Sequence, residues 1–337
     1  MGTIRSKEIR LVTRPEGMPK PANFDSAERE LADEGGEQPL VRNLWMSVDP
    51  YMRGRMMDVR SYVPPFQLGE PLEGGAIGEI VHPGASDFKP GDKVLHMLGW
   101  REYAQCDAKA LTKLAEMPGV PLQAYLGLLG MPGLTAYAGL LHIAALKEGE
   151  TVFVSGAAGA VGAVVSQIAK RKNCTVIGSA GGAQKCAWLR DVAGVDVALD
   201  YKAEASITKA LAAAAPQGID VYFDNVGGAH LQAAIEVMRP MGRIACCGMI
   251  AQYNNTAREP GPDNLIMMVG KSLRMQGFIV SNHMDLMPQF LKDMGGWIAA
   301  GEMKWEETVY DGIAQAPQAF MDLFQGKNLG KMLVRLT

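Results

Sequence analysis

A glycine-rich turn between an apolar strand and an amphipathic helix constrains this chain more than any other feature. The sequence predicts a buried strand over residues 151–155, a helix over 158–172 and a second strand over 174–179, with the run GAAGAVG at 156–162 at the first junction. Glycines in this context let the backbone turn tightly and approach a pyrophosphate, and the helix N-terminus favours its negative charge. Small residues can also serve only to pack the helix on the strand. The βαβ context favours a dinucleotide site.

The alternation of apolar strands with amphipathic helices continues to about residue 300. Parallel strands need long crossover connections, which are usually helices. This rhythm therefore predicts a Rossmann-type, doubly wound parallel sheet and an α/β fold. Further helices are predicted over residues 185–192 and 205–215, and further strands over 195–199, 220–224, 243–247 and 273–280.

The rest of the chain has a different character. Residues 1 to about 115 contain short apolar or alternating runs separated by Gly, Pro and Asp turn signals, which is typical of β structure. The clearest of these strands are predicted over residues 41–48, 76–81 and 93–97. Composition becomes strand-like again from about Trp305. We therefore expect a β-rich domain of residues 1–130 and 305–337, with a nucleotide-binding domain of residues 131–304 inserted in it.

Charge and composition argue against several classes of protein. The 33 basic and 36 acidic residues nearly balance and form no long like-charged block, so no nucleic-acid partner is expected. We see neither an apolar signal core nor a run of roughly 18 uncharged apolar residues, so no membrane association is expected. Five scattered cysteines do not make a disulfide framework and indicate a reducing cytoplasm. Cys246 and Cys247, neighbours on a predicted strand, fit buried thiols better than a redox pair.

The end of the second predicted strand bears on the choice of cofactor. Enzymes that select NAD usually carry an acid about 20 residues beyond the first glycines, where it binds the ribose 2′-hydroxyl. Here Ser179 is followed by Ala-Gly-Gly, and no carboxylate stands there. Lys185 at the start of the next helix and Tyr201 after the third strand are suited to a 2′-phosphate, although either could be an ordinary surface residue. The sequence predicts NADPH as the cofactor.

Four motifs resemble one enzyme family over essentially the whole chain. They are SVDPYMRGRM at residues 47–56, SYVPPFQLGE at 61–70, GMPGLTAY at 130–137 and NLGK at 328–331. Together with the glycine turn they resemble the zinc-independent medium-chain dehydrogenases/reductases of the prostaglandin and leukotriene reductase type, and most closely the bacterial curcumin reductase-type enzymes. The resemblance implies a GroES-like catalytic domain, a Rossmann domain, NADPH as cofactor and a homodimer.

The resemblance also implies which residues contact NADPH. It places residues 159–162 on the pyrophosphate, Lys185 and Tyr201 on the 2′-phosphate, and Asn225 near the cofactor, although the Asn-Val-Gly-Gly run there could be a simple turn. The full set is Pro50, Met131, Thr135, Ala158, Gly159, Ala160, Val161, Gly162, Gly181, Lys185, Tyr201, Asn225, Cys247, Gly248, Met249, Ile250, Tyr253, Phe278, Ile279, Val280 and Asn328.

Zinc-dependent alcohol dehydrogenases are the main competitor within the same superfamily. They need a catalytic Cys and a His near a glycine turn, and commonly a four-cysteine structural loop. This chain has no cysteine before Cys106 and offers Pro71-Leu72-Glu73 where those relatives place Gly-His-Glu. Its five histidines show no paired ligand spacing. We therefore expect no metal site.

Without a metal, the chemistry expected is hydride transfer from the nicotinamide to the β-carbon of an electrophilic enone, with phenols donating to the developing enolate oxygen. Tyr51 and Tyr253 are the preferred donors and Tyr62 the third, since the resemblance places all three motifs at the cleft; each could instead be pocket wall. The prostaglandin reductases carry a tyrosine where this chain has Gly270, which predicts a differently shaped pocket.

Two alternatives to an enone reductase stay open. A quinone reductase would reduce its substrate at oxygen rather than at carbon. A non-catalytic NADPH-binding redox sensor would bind cofactor without turnover, because a fold alone does not assign an activity.

Overall fold

The computed structural model describes residues 2–32 and 36–337. The chain forms two compact units. The antiparallel unit comprises Met1–Leu126, Glu307–Asn328 and Met332–Thr337, and the parallel unit comprises Gly127–Glu306 and Leu329–Lys331.

The antiparallel unit is built on strands from both ends of the chain. Its described strands are β1 (Thr3–Leu11), β2 (Phe24–Ala32), β3 (Leu40–Ser47), β4 (Ala76–His82), β5 (Lys93–His96), β6 (Tyr103–Gln105), β7 (Thr112–Lys113), β14 (Glu307–Asp311) and β15 (Lys331–Arg335). Strands β1 and β2 form a hairpin-like pair, and the others form a sheet in the order β14-β15-β3-β4-β5-β7, with β6 also pairing β3. The predicted strands at 41–48, 76–81 and 93–97 are confirmed as β3, β4 and β5 to within one residue.

The apolar core of the antiparallel unit surrounds three aromatic rings. The rings of Phe24 and Trp100 stack with centroids 6.3 Å apart, and the ring of Phe320 meets that of Trp100 edge-on at 6.1 Å. Met52 and Met56, from the motif at 47–56, are fully buried in the same core. These methionines therefore fill the core of the antiparallel unit.

The parallel unit has the strand order of a Rossmann fold. Its described strands are β8 (Thr151–Val154), β9 (Thr175–Ala180), β10 (Val197–Asp200), β11 (Ile219–Asp224), β12 (Met238–Cys246) and β13 (Arg274–Gly277). They pair in the order β10-β9-β8-β11-β12-β13, and every pair is parallel. The order reverses between β8 and β11, and ligands of such sheets bind at the carboxyl ends of the strands at this point. The predicted α/β fold with a doubly wound sheet is confirmed.

Helices lie between the strands of both units. The α-helices are α1 (Met52–Arg55), α2 (Met131–Tyr137), α3 (Ala160–Arg171), α4 (Ala183–Asp191), α5 (Ile207–Ala214), α6 (Gly228–Val237), α7 (Ile266–Gly270), α8 (Met287–Ala299) and α9 (Ala316–Phe324), and a π-helix spans Ala138–Ile143. Within residues 2–32 and 36–337, no helix is both long and apolar enough to cross a bilayer.

Two predictions about local structure were wrong in part. The strand predicted over residues 273–280 ends at Gly277, and a 3-10 helix begins at Val280. Strand β13 lies at the sheet edge and pairs only β12 through four residues, so apolar composition overstated its length. The strand-like tail also contains helix α9, whose buried Ala316, Ala319, Phe320 and Leu323 follow helical spacing.

Candidate active site

The glycine turn joins β8 to α3 through a close contact between helix and loop. Gly156 has a positive φ of 58°, a conformation that favours glycine. A Cβ on Gly162 would clash with the Gly156 carbonyl oxygen and lie 2.7 Å from the Ala157 Cα. A Cβ on Gly159 would meet only the Gly156 oxygen within 4 Å, at 3.3 Å. The turn therefore brings the start of α3 against the strand and leaves its Gly159 side open, which fits a pyrophosphate.

The C-terminal NLGK motif supports this turn from the other end of the chain. The Gly330 N–H donates to the Ala158 carbonyl at 2.8 Å, and Gly330 bridges Gly159 as a short parallel strand pair. Asn328, which is buried, precedes Gly330 by two residues. The contact of the motif with the glycine turn is therefore made by Gly330.

The ends of β9 and β10 carry the residues predicted for the 2′-phosphate. A Cβ on Gly181 would lie 2.8 Å from the Tyr201 hydroxyl oxygen. The absence of a side chain at Gly181 therefore allows the Tyr201 phenol to pack against the Gly181 backbone. Lys185 lies in the first turn of α4, and no acidic residue occupies that turn. Burial lowers the pKa of Lys185, and the positive charge of Lys202 lowers it further. Tyr201, Gly181 and Lys185 thus gather in one part of the parallel unit.

The buried residue Asp224, at the end of β11, holds two loops together. Asp224 is fully buried, and its Oδ1 accepts hydrogen bonds from the Tyr222 hydroxyl at 2.6 Å and from the N–H of Val226 and Gly227 at 3.0 and 2.7 Å. Its backbone oxygen accepts from the N–H of Cys247 at 2.9 Å. Asp224 therefore ties the loop after β11 to the loop after β12.

Asn225 is fixed between these loops. Its backbone N–H donates to the Ser155 hydroxyl at 3.0 Å, and its Nδ2 donates to the Ser155 carbonyl at 2.8 Å. Ser155 and Asp224 have no place among the predicted site residues. The sequence did carry a signal for them. Both residues lie at the carboxyl ends of strands at the switch point. In addition, an Asp side chain can accept hydrogen bonds from backbone N–H groups two and three residues further on.

The loop at 247–253 folds onto itself through Tyr253. The Tyr253 hydroxyl accepts from the Met249 N–H at 3.4 Å, and the Ile250 N–H donates to the Asn225 carbonyl at 3.3 Å. A Cβ on Gly248 would lie 3.0 Å from the Tyr253 hydroxyl oxygen, so Gly248 makes room for the phenol. Burial raises the pKa of the Cys247 thiol to about 12, with Asp224 as the second cause.

The remaining predicted cofactor residues of the parallel unit lie on two segments. Phe278 follows the end of β13, and its ring meets Phe223 edge-on with centroids 6.3 Å apart; Ile279 and Val280 come next. Met131 and Thr135 share the first turns of α2, where the Thr135 hydroxyl donates to the Met131 carbonyl at 2.7 Å. Gly270 ends α7, and a Cβ there would meet nothing within 4 Å.

The antiparallel unit holds the other two tyrosines. Tyr51 follows Pro50 at the start of α1, and in the part of the chain that the structure describes its hydroxyl oxygen is buried without a hydrogen-bond partner. Burial raises the pKa of Tyr51, with Asp49 as the second cause and Tyr62 among the smaller ones. Tyr62 is 61% exposed. Both phenols are therefore in one region, with Tyr51 protonated and able to donate.

An arginine not predicted for the site holds the segment that carries these tyrosines. The Arg55 Nε donates to the Pro64 carbonyl at 2.9 Å, and its Nη2 pairs with the Glu73 carboxylate at 2.7 Å. Its guanidinium also lies 4.1 Å from the centre of the Phe66 ring. No local sequence pattern marks such contacts, because their partners lie 9 to 18 residues away.

Histidine and cysteine are distributed without a metal-binding pattern. Across residues 2–32 and 36–337, no group of three or more His, Cys, Asp or Glu side chains is arranged to hold a metal ion. Burial lowers the pKa of His96 and of His230 to about 4, so both rings are neutral. Leu72, where a zinc ligand was considered, is fully buried.

Comparison with known proteins assigns the class first. A family profile described as the N-terminal domain of oxidoreductase matches residues 7–114, and one described as zinc-binding dehydrogenase matches residues 160–294. The fold and both profiles define a medium-chain oxidoreductase.

Individual relatives narrow the class to a family. The NADPH-dependent curcumin reductase of Escherichia coli strain K12 is 42% identical over 98% of this chain and 97% of its own length. Prostaglandin reductase 1 of Rattus norvegicus is 41% identical over 98% and 99%. The crystal structure of CurA in complex with NADPH from Vibrio vulnificus is 40% identical, covers 98% of this chain and 99% of its own, and superposes with a TM-score of 0.93. This chain belongs to the curcumin and prostaglandin reductase family, as its motifs predicted.

Proposed function

We propose that this protein is an NADPH-dependent reductase of the carbon-carbon double bond of α,β-unsaturated ketones and aldehydes, with curcumin-like enones, alkenals and 15-keto lipids as the substrate class. The activities named for the curcumin and prostaglandin reductases, at 42% and 41% identity over nearly the whole chain, support it. In this assignment the antiparallel unit is the catalytic domain and the parallel unit is the NADPH-binding domain.

The chain offers suitable groups for each part of the cofactor. The open side of Gly159 and the N-terminus of α3 suit the pyrophosphate. Lys185 and Tyr201 suit the 2′-phosphate. Asp224 ties together the loops that carry Asn225 and residues 247–253, and we assign these loops to the nicotinamide half. Bound NADPH supplies the hydride that adds to the β-carbon of the enone.

The single observation that carries the chemistry is the Tyr51 hydroxyl, which is buried with no hydrogen-bond partner in the described residues. An unpaired buried hydroxyl costs about 1–3 kcal/mol, so its retention favours a ligand that accepts from it. We assign Tyr51 to donate to the substrate carbonyl oxygen, where negative charge develops as the β-carbon is reduced. Tyr253 and Tyr62 complete the proposed set of donors.

The test is turnover with product analysis. The full chain, NADPH carrying deuterium at the transferable position and 4-phenyl-3-buten-2-one should give the saturated ketone with deuterium on the β-carbon, detected by NMR. A chelator should leave the rate unchanged, since we propose that no metal takes part. An allylic alcohol as product would refute the assignment, and turnover of a quinone alone would favour the quinone reductase. Tight NADPH binding with no turnover of any electrophile would favour the redox sensor.

We further propose that the protein is a homodimer formed through the edge strand β13. All four residues of β13 are exposed, whereas β10 at the opposite edge is largely covered. Beside it, Ile266 and Val269 of α7 are each 76% exposed. An exposed strand edge flanked by apolar side chains suits a second copy around a twofold axis.

Sedimentation tests this interface. Ile266→Lys combined with Val269→Lys should convert the dimer to a monomer, while Val192→Lys, at the exposed apolar residue that follows α4, should not. A monomeric unmodified protein would refute the proposal. We also propose a cytoplasmic location, which the free cysteines support.

A further inference from the structure

We propose that Lys202 is a second cation for the 2′-phosphate of NADPH, and that Lys185 and Lys202 together distinguish NADPH from NADH. The inference rests on the proposed function and adds a residue that the sequence did not mark. Its starting point is Gly181, where an added Cβ would lie 2.8 Å from the Tyr201 hydroxyl oxygen and 2.9 Å from the Lys202 Cε. The phenol and the lysine stem therefore cover the same glycine.

Asp200 explains why the two side chains arrive there. Its Oδ1 accepts hydrogen bonds from the N–H of Gly182 at 2.8 Å and from the N–H of Lys202 at 3.1 Å. The Tyr201 N–H donates to the Ala180 carbonyl at 3.2 Å. These bonds join the loop after β9 to the loop after β10 and hold the backbone of Lys202 beside the start of α4.

The Lys202 ammonium forms no ion pair with the described side chains. Burial lowers the pKa of Lys185, and the positive charge of nearby Lys202 lowers it further. In the described part of the chain, the Lys202 ammonium has no acidic group within ion-pair distance, in contrast to Lys93 and Lys170. Asp200 is the nearby acid: its Oδ1 accepts from backbone N–H groups, and the charge of Lys202 helps to lower its pKa. One carboxylate offsets one of the two lysine charges, so the pair of lysines keeps a net positive charge.

A phosphate monoester fits this set of groups. It carries a charge of about −1.5 to −2 at pH 7 and three acceptor oxygens. One lysine would leave much of that charge uncompensated, whereas two lysines, the Tyr201 hydroxyl and the N-terminal turn of α4 match both its charge and its acceptors. NADH presents only a 2′-hydroxyl at the same place and would leave the two cations facing each other. Lys185 and Lys202 therefore favour the binding of NADPH over that of NADH.

The experiment uses nucleotide fragments and the full chain. Dissociation constants for adenosine 2′,5′-bisphosphate and for ADP are measured by calorimetry on the unmodified protein and on the variants Lys202→Gln, Lys185→Gln and Lys209→Gln. Lys209 is exposed on α5, so it is a control for loss of one positive charge in the same unit. We expect Lys202→Gln to weaken the bisphosphate roughly tenfold, with ADP changed less than about twofold. Lys209→Gln should change neither.

Each other outcome has a defined meaning. Unchanged bisphosphate binding in Lys202→Gln would overturn the inference, and equal weakening of both nucleotides would overturn it too, because it would indicate a distorted loop and not a lost phosphate contact. Equal affinity of the unmodified protein for bisphosphate and ADP would instead contradict the NADPH preference in the proposed function. Lys202 is exposed, and melting curves of the variants check that folding is intact.

Discussion

Tyr222 and Tyr51 are tyrosines of the two units whose hydroxyl groups are both buried, and they differ in what surrounds those groups. In the parallel unit, the Tyr222 hydroxyl donates to Asp224 at 2.6 Å and lies 2.9 Å from the Ser155 hydroxyl oxygen. In the antiparallel unit, the Tyr51 hydroxyl has no partner among the described residues. Burial raises the pKa of both phenols, so both are neutral.

This difference suggests two roles: the Tyr222 hydroxyl stabilises the loops of the site, whereas the Tyr51 hydroxyl is available to a ligand. Tyr222 belongs to a hydrogen-bond network with Ser155 and Asp224 that fixes the loops after β8, β11 and β12. Tyr51 carries an unmet hydrogen bond at a cost of about 1–3 kcal/mol. Substitutions that affect stability and activity unequally can test this division.

The largest loss of activity is expected from a substitution where helix α3 packs against the glycine turn. Gly162→Ala places a Cβ against the Gly156 carbonyl and 2.7 Å from the Ala157 Cα, and backbone atoms cannot move aside cheaply. We expect kcat/KM for NADPH to fall roughly a hundredfold, with a loss of about 1–3 kcal/mol in the free energy of unfolding. Gly296→Ala in α8, where a Cβ meets nothing within 4 Å, should instead stabilise by about 0.5–1 kcal/mol. The same sign for both variants would contradict this account of the turn.

Tyr51→Phe should separate activity from stability. Removing a hydroxyl without a partner in the described residues should leave the melting temperature unchanged or raise it, since a buried unpaired group is lost. Turnover of the enone should fall roughly tenfold to a hundredfold, because the donor to the developing enolate is gone. Enone kinetics and thermal unfolding measure the two quantities. A variant that is both less stable and fully active would show that Tyr51 is structural.

Tyr222→Phe makes the same chemical change in the parallel unit and should give the opposite pattern. It removes a donor from the buried Asp224 carboxylate, so we expect the free energy of unfolding to drop by about 1–3 kcal/mol. The kcat for bound substrate should change only a few-fold, because Tyr222 is buried among the loops and contacts no proposed reacting atom. Denaturant unfolding measures the first quantity and saturating kinetics the second. Equal effects of Tyr51→Phe and Tyr222→Phe on stability and on kcat would contradict the different roles assigned to the two hydroxyl groups.

Local patterns predicted the parallel unit well and the antiparallel unit less well. The glycine turn and the βαβ alternation depend on residues close together in sequence, and the doubly wound parallel sheet was predicted from them. Burial of Asp224 and the hydrogen bonds of Asp200 depend on which strands become neighbours, which composition does not specify. The contacts of Arg55 with Pro64 and Glu73 are of the same kind. The assignment of the tyrosines to catalysis stays a prediction, supported by the unpartnered hydroxyl of Tyr51.

The smallest expected effect is a pH dependence confined to the phosphorylated cofactor. Burial and the charge of Lys202 hold the pKa of Lys185 below its ordinary value in the free protein. A bound phosphate dianion favours the protonated lysine, so affinity for NADPH should be full below the pKa of Lys185 and decline a few-fold as pH rises through it. Tyr201, whose pKa burial raises, stays protonated over the same range.

Binding of NADPH and NADH between pH 7 and 10 measures this decline, and NADH should show none of it because it lacks the 2′-phosphate. Lys185→Arg provides the matched variant, since a guanidinium keeps its charge to pH 12 and above. Its NADPH affinity should be nearly flat where that of the unmodified protein falls. A decline of the same size in the arginine variant would show that the titrating group is not Lys185.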